Sequence, residues 1–364
     1  MVKAALLKFI DEVVGAWVCW AMTSPQRTEE DPAFDATPGR ILVIRPGGIG
    51  DAVMALPMLT RLHERYPDRA IDILCESRNA GLLRLAFPAW TLLTYDSHPW
   101  RTLSALRRGG DAAVLDTEQF HSFSGVFTAW TRAPIRIGFK INVRRNALYT
   151  HLVNYDLAGR EDLQFAALLS ALTGEDESSR LPSKDGILRH AAADTPLPEP
   201  LAAVQRPVLI HVEGRVREKM LPDATLVELC DALGDMKDVT PLLVGGHGDR
   251  QRAERIQRQC RAASQNWCGK LSLAEMMTLC RRSTAFLGGD SGIAHVANAV
   301  GAPCILWFGP TDPKKWGPAG SRSRAITRAT PCGPCAIFGY NKPCRLYRCL
   351  AIPPDAILAA LRSL

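Results

Sequence analysis

No run of about twenty apolar residues, the length that a membrane-spanning helix requires, occurs anywhere in the 364-residue chain. The segment 1–22 comes closest, but Lys3, Lys8, Asp11 and Glu12 interrupt it. A secretory signal with a small-residue cleavage site is also missing. So is any RNA- or DNA-reading motif beside the mild net charge of +7. The 11 cysteines are odd in number, and most stand singly in apolar segments, as Cys75, Cys230 and Cys304 do. These absences speak against a membrane-spanning protein, a disulfide scaffold and a nucleic-acid partner. They lead to the expectation of a cytoplasmic protein with free thiols. A charge of +7 suits an anionic small molecule or an anionic lipid surface, and equally well plain solubility.

What is present is ordinary for a globular chain: 47% hydrophobic and 22% charged residues, with length enough for two domains. In the first segment Val2, Leu6, Phe9, Val13, Trp17 and Trp20 recur at helical spacing. Its tryptophans suit the interface of a membrane, which would give peripheral contact with the inner face of the cytoplasmic membrane. A helix docked on the protein itself fits the same pattern. Residues 23–39 are polar with three prolines and read as a linker, so 1–39 is a helix plus linker.

From residue 40 the pattern alternates. RILVIR (40–45) reads as a strand, PGGIG (46–50) as a turn, and Val53, Leu56, Leu59 and Leu62 as one face of a helix. AIDILC (70–75), 92–95 and 112–115 are further strands. Residues 181–207 lose all periodicity, which places a first domain at 40–185, a linker at 186–206 and a second domain at 207–364. There the alternation restarts, with strands at 208–212, 240–244, 285–287 and 304–308 and helices at 223–233, 250–262, 291–300 and 354–361; Gly301 caps the third of these. The fold class is α/β, with two Rossmann-like parallel-sheet domains facing a cleft.

Two loops carry chemistry. The first, Gly47–Gly48–Ile49–Gly50–Asp51, does not meet the G-x-G-x-x-G fingerprint of dinucleotide binding. A carboxylate at the helix start would also repel a pyrophosphate. Asp51 either caps its helix, worth about 1 kcal/mol, or serves as a base that takes a proton from a sugar hydroxyl. Both readings stay open from this loop alone. In the second, Gly289–Asp290–Ser291–Gly292, the helix opens without an acid, so its N–H groups and dipole can hold a diphosphate. His295 lies one turn beyond Ser291 and can reach a phosphate oxygen. Asp290 can accept from a sugar hydroxyl or fix the loop. The plainer alternative is a capped core helix with a satisfied histidine.

Three blocks now resemble the heptosyltransferases that build the lipopolysaccharide inner core: ILVIRPGGIGDAVMALPML (41–59), Lys219–Met220–Leu221–Pro222, and FLGGDSGIAHVANAVGAPCILWFGPTDPKKWGP (286–318). The resemblance runs from about residue 40 to the end of the chain. It implies the GT-B architecture and inverting transfer of heptose from ADP-heptose to a lipid-linked anionic saccharide, with no metal at the reacting centre. It makes Asp51 the general base and Lys219, Asp290, Ser291, Gly292 and His295 the donor site. The chain departs from the family in three places. Leu221 replaces a frequent tryptophan, Gly245–Gly246–His247 stands where some members carry a nucleotide-contacting glutamate, and the shortest members lack an equivalent of residues 1–39.

Between 132 and 145, Arg132, Arg136, Lys140, Arg144 and Arg145 occur with no acid, a composition suited to the carboxylates and phosphates of such an acceptor, or to a solvated loop. Arg322, Arg324 and Arg328 form a second basic group with no assigned role. Cys332, Cys335, Cys344 and Cys349 have spacing compatible with a structural zinc, with free thiols or with a redox-labile pair. The rivals to a heptosyltransferase are a transferase using another sugar nucleotide for a cell-surface polysaccharide, a nicotinamide-dependent oxidoreductase, and a non-catalytic envelope-assembly or zinc-binding protein.

Overall fold

The computed structural model describes residues 11–21, 34, 37–193, 195–213, 216–336 and 344–364. The chain divides into two compact units, Met1–Pro182 and Ser183–Leu364.

In the first unit six strands form one parallel sheet: β1 (Arg40–Arg45), β2 (Ile71–Cys75), β3 (Thr91–Thr94), β4 (Asp111–Asp116), β5 (Ile135–Phe139) and β6 (His151–Val153). Their order is β3-β2-β1-β4-β5-β6. β1, β2, β4 and β5 are apolar nearly throughout because helices cover both faces of the sheet. These helices are α2 (Ile49–Arg65), α3 (Ser77–Ala86), α4 (Pro99–Arg107), α5 (Ser122–Thr131) and α6 (Glu161–Thr173), preceded by α1 (Ala16–Ala21).

The second unit repeats this plan with β7 (Pro207–His211), β8 (Thr240–Val244), β9 (Gln265–Asn266), β10 (Ala285–Gly289), β11 (Cys304–Phe308) and β12 (Ser323–Thr327). Read from its β9 edge, the order is β9-β8-β7-β10-β11-β12, the same winding as in the first unit. Its helices are α7 (Asp223–Gly234), α8 (Arg250–Gln259), α9 (Leu273–Arg282), α10 (Gly292–Ala299) and α11 (Pro354–Arg362). In each sheet the strand order reverses once, between β1 and β4 and between β7 and β10. Ligand-binding loops of doubly wound sheets gather outside the strand C-termini at this point.

One expectation changes. Residues 186–206 are part of the second unit and not a linker. Gly186 and Leu188 donate backbone N–H groups to Asn298 and Ala299 carbonyls, at 3.2 and 2.7 Å. Arg281 donates to the carbonyls of Ala191 and Ala192, and Leu188 and Leu201 are buried. The segment lacks periodicity because its backbone groups are satisfied by a neighbouring helix and not by a ladder of its own.

Of the two readings open for the N-terminal segment, residues 11–21 are docked on the first unit along one face. The Asp11 carboxylate accepts from the N–H groups of Ser122 and Phe123, at 2.8 and 2.7 Å, which are free donors at the start of α5. Cys19 is buried against Val126 and Leu148. Val13 and Trp17 stay exposed. Val2, Leu6, Phe9 and the side chain of Trp20 lie outside the described residues. Among the described residues no helix is long and apolar enough to cross a membrane.

Candidate active site

The first site loop leaves β1 at Arg45 and enters α2 at Ile49. Gly47 has φ +102°, and a Cβ there would lie 2.6 Å from Asp51 Oδ2, so the turn accepts only glycine. The Gly48 N–H donates to Asp51 Oδ2 at 2.7 Å, which caps the helix. Asp51 Oδ1 faces Arg45 Nη2 at 4.0 Å, and the side chain keeps 44% of its surface exposed. One carboxylate oxygen is therefore committed to the loop while the side chain remains open to a ligand.

The loop is held from three directions. Gly47 N–H donates to Glu76 Oε1 at 3.0 Å, and the Tyr95 hydroxyl donates to the same oxygen at 2.8 Å. Buried Arg45 donates to the carbonyls of Pro46 and Thr117. At the end of β4, buried Glu118 accepts from the N–H groups of Gln119, Phe120 and His121. Burial opposes its charge, but His121, Arg45, Arg145 and these N–H bonds outweigh that cost and hold Glu118 below its ordinary pKa.

The same pentapeptide plan occurs in the second unit as Gly245–Gly246–His247–Gly248–Asp249, at the end of β8. There Gly246 N–H donates to Asp249 Oδ2, again at 2.7 Å. Asp249, however, is buried, and its Oδ1 has no hydrogen-bond partner. The cap belongs to the pentapeptide; the exposure of Asp51 belongs to its surroundings.

The five basic residues expected at the acceptor do not form one cluster. Arg145 has no exposed surface; it donates to the carbonyls of Glu118 and His121, each at 2.7 Å, and to Ser124 Oγ at 2.8 Å. Arg136 lies inside β5 and donates to the carbonyls of Leu148 and Ala133. Both guanidiniums hold loops together because a buried cation must find acceptors. Arg132 is exposed in the left-handed turn that ends α5, at φ 60°. Lys140 follows β5, which places it at the opposite edge of the sheet, about 17 Å away for five strand residues. Lys140 and Arg144 are exposed, with no ion pair among the described residues.

In the second unit the loop after β10 is built around Asp290. Its carboxylate accepts from Lys219 Nζ at 2.7 Å and from His295 Nε2 at 3.1 Å, and Lys219 also donates to the Asp290 carbonyl at 3.1 Å. Burial opposes ionisation of Asp290, but the His295 hydrogen bond and the Lys219 charge prevail and hold it well below the usual carboxylate range. Burial pushes the pKa of His295 down despite Asp290, with the charges of Lys184 and Lys219 acting the same way. His295 is thus neutral near pH 7 and gives its Nε2 proton to Asp290; its Nδ1 is enclosed without a partner. It orders Asp290, and no charge of its own is available to a phosphate.

Ser291 caps α10, accepting from Ala294 N–H at 3.4 Å. Ser291 and Gly292 are half-exposed and the first turn of α10 carries no acid, so the helix start presents N–H groups to a ligand. A Cβ on Gly289 would meet Trp307 Nε1 at 2.8 Å and the Lys219 carbonyl at 3.0 Å, and this close approach brings the lysine to the loop. His211, which the sequence pattern alone does not single out, ends β7 with Nδ1 3.4 Å from Ser291 Oγ. Its signal is positional: it is the last residue of the strand that pairs with β10. Among the described residues no group of three or more histidine, cysteine or acidic side chains is placed to hold a metal ion. Residues 337–343, between Cys335 and Cys344, lie outside the described part.

Comparison with known proteins gives the family and the fold of the chain. The sequence profile of glycosyltransferase family 9 (heptosyltransferase) matches residues 100–344. Lipooligosaccharide heptosyltransferase 2 of Haemophilus ducreyi is 25% identical over 355 residues, covering 89% of this chain and 99% of the relative. A glycosyl transferase family 9 structure from Veillonella parvula superposes with a TM-score of 0.72 at 16% identity, covering 92% of this chain and 98% of that one. The E. coli heptosyltransferase WaaC with ADP gives 0.71 at 18% identity, with coverages of 89% and 99%. The architecture shared with these structures is GT-B.

Proposed function

Since the chain belongs to glycosyltransferase family 9, we propose that it moves heptose from ADP-heptose to a lipopolysaccharide core acceptor, inverting the anomeric centre in one displacement. The observation that carries this reading is the division of charge between two loops. One presents a capped yet open carboxylate, Asp51, and the other an acid-free helix start beside Lys219. The acceptor hydroxyl oxygen bonds to the anomeric carbon as the bond from that carbon to the diphosphate oxygen breaks. The hydroxyl proton passes to Asp51, and the electron pair leaves on the β-phosphate of ADP. Ser291, Gly292 and the start of α10 receive the diphosphate. Lys219, poised on Asp290, adds its charge to the leaving group. Asp290 and His295 position Lys219 and the loop; Lys140 and Arg144 are the cations left for anionic groups of the acceptor. Free thiols and a nucleotide donor fit a cytoplasmic reaction.

The test is transfer from ADP-heptose to a heptose-deficient lipid-linked core, followed by mass spectrometry. Asp51→Asn should lower the rate by about 10²–10⁴, the usual contribution of a general base. Near-full activity of this variant would remove the base assignment. A second reading, another sugar nucleotide as donor, is favoured by His247 standing where some members have an acid; a donor panel separates the two.

A further inference from the structure

One exposed cation of the first unit stands near Asp51 and has no part in the transfer chemistry. Arg78 is the second residue of α3, which follows β2, the strand paired with β1. Its guanidinium donates from Nε and Nη2 to Glu76 Oε2, at 2.7 and 2.5 Å. The other oxygen of Glu76 is the one that accepts from the Gly47 N–H and the Tyr95 hydroxyl. A single carboxylate therefore joins Arg78 to the loop that carries Asp51. The backbone beneath is fixed as well. Buried Asn79 accepts from the Glu76 N–H at 3.1 Å and donates to the Arg45 carbonyl at 3.0 Å. Asp96 accepts from both the N–H and the hydroxyl of Ser77. Burial opposes the charge of Arg78, but Glu76 and, beyond it, Asp51 outweigh that cost and raise its pKa.

The Glu76 side chain is 14% exposed and both its oxygens are in use, whereas Arg78 keeps 56% of its surface. Glu76 takes the Nε–Nη2 edge of a rigid, planar fork of five N–H groups. The Nη1–Nη2 edge is left, with two parallel N–H groups and no partner among the described residues. Such an edge matches the two oxygens of a carboxylate. An acceptor that brings its hydroxyl to Asp51 and carries a carboxylate on the same sugar would be repelled by Asp51 unless a cation received it. Arg45, the other cation at Asp51, is buried and spent on carbonyls. Lys140 and Arg144 follow β5, which lies two strands from β1 on the side away from β2, about 10 Å across the sheet. We propose that Arg78 binds a carboxylate of the acceptor sugar that offers the attacking hydroxyl, and so selects an acidic sugar over a neutral one. The inference rests on the proposed role of Asp51 towards the acceptor, but its binding test needs no donor.

The full chain is titrated calorimetrically, without donor, with the heptose-deficient lipid-linked core. The wild type should bind it about tenfold more tightly than Arg78→Gln, the worth of one charge-assisted pair in a half-exposed setting. Methyl esterification of the acceptor carboxyls should cost the wild type the same factor and the variant nothing more, while removal of its phosphates should act alike on both. Arg78→Lys should recover only part of the loss, because an ammonium lacks the fork. In the transfer assay Arg78→Gln should raise KM for the acceptor about tenfold and leave kcat within about twofold, with ADP binding and thermal melting unchanged. Equal acceptor affinity in variant and wild type would overturn the proposal. So would a loss that the esterified acceptor shares in full, or a difference that dephosphorylation and not esterification abolishes. Binding that depends on Arg78 and on the carboxylate, without transfer from ADP-heptose, would strike the proposed function alone. Transfer with the same acceptor KM in Arg78→Gln as in the wild type would strike this inference alone.

Discussion

Asp290→Asn is the sharpest perturbation of the second loop. The substitution keeps the shape of the side chain and removes the charge that holds Lys219 at 2.7 Å and His295 at 3.1 Å. The Asp290 side chain is 7% exposed and that of Lys219 is 18%, so the lysine loses its partner in a largely dry setting. Removing one member of a buried pair costs about 3–5 kcal/mol. The lower end applies, about 3 kcal/mol, because Lys219 retains some exposure and can turn towards water. For a unit of this size, roughly 2–4 °C per kcal/mol, the melting temperature should fall by about 6–12 °C. Calorimetry at pH 7.5 measures it. Adding Lys219→Met should restore part of the loss, since the cost lies in the orphaned cation, and a double-mutant cycle reads the coupling directly. A single variant that melts within about 2 °C of the wild type would refute the view that charge organises this loop.

Three further outcomes follow from the same geometry. Asp51→Ala and Asp249→Ala should each cost about 1 kcal/mol, because both caps are alike, yet only the first should stop transfer; equal activity in the two variants would contradict the catalytic role of Asp51 and the purely structural one of Asp249. For His295 the sign follows from a folded pKa below the unfolded value near 6.5. Below pH 6.5 the unfolded chain takes up a proton that the folded one refuses. Its contribution to stability is therefore lost as pH falls, by up to about 1.4 kcal/mol per pH unit. Denaturant titrations should show this slope in the wild type and a shallower one in His295→Phe. Asp290, depressed in the same sense, keeps its contribution down to the ordinary carboxylate value near 4 and loses it only in stronger acid, which places its window below that of histidine.

Much of this architecture is legible in local patterns. RILVIR, AIDILC, VLIHV and CILWF read as buried strands because a sheet covered on both faces needs continuous apolar runs. Both site loops are visible because glycine and small polar residues mark strand-to-helix turns. Ile135–Phe139 is less legible: its arginine makes a strand look like part of a basic loop. The short strands β6 and β9 have too few residues for any period to show.

The α/β class and the two loops were legible in the sequence alone, because strand and helix periods and glycine turns are properties of neighbouring residues. Tertiary structure alone decided which charges are free. Asp51 and Asp249 carry the same pentapeptide plan and the same cap, and only packing leaves one open and seals the other. Arg145 is spent on carbonyls 24 and 27 residues away, and Asp11 on N–H groups more than 100 residues away. A buried charge is settled by partners that the fold brings to it, and those partners leave no mark in the residues on either side.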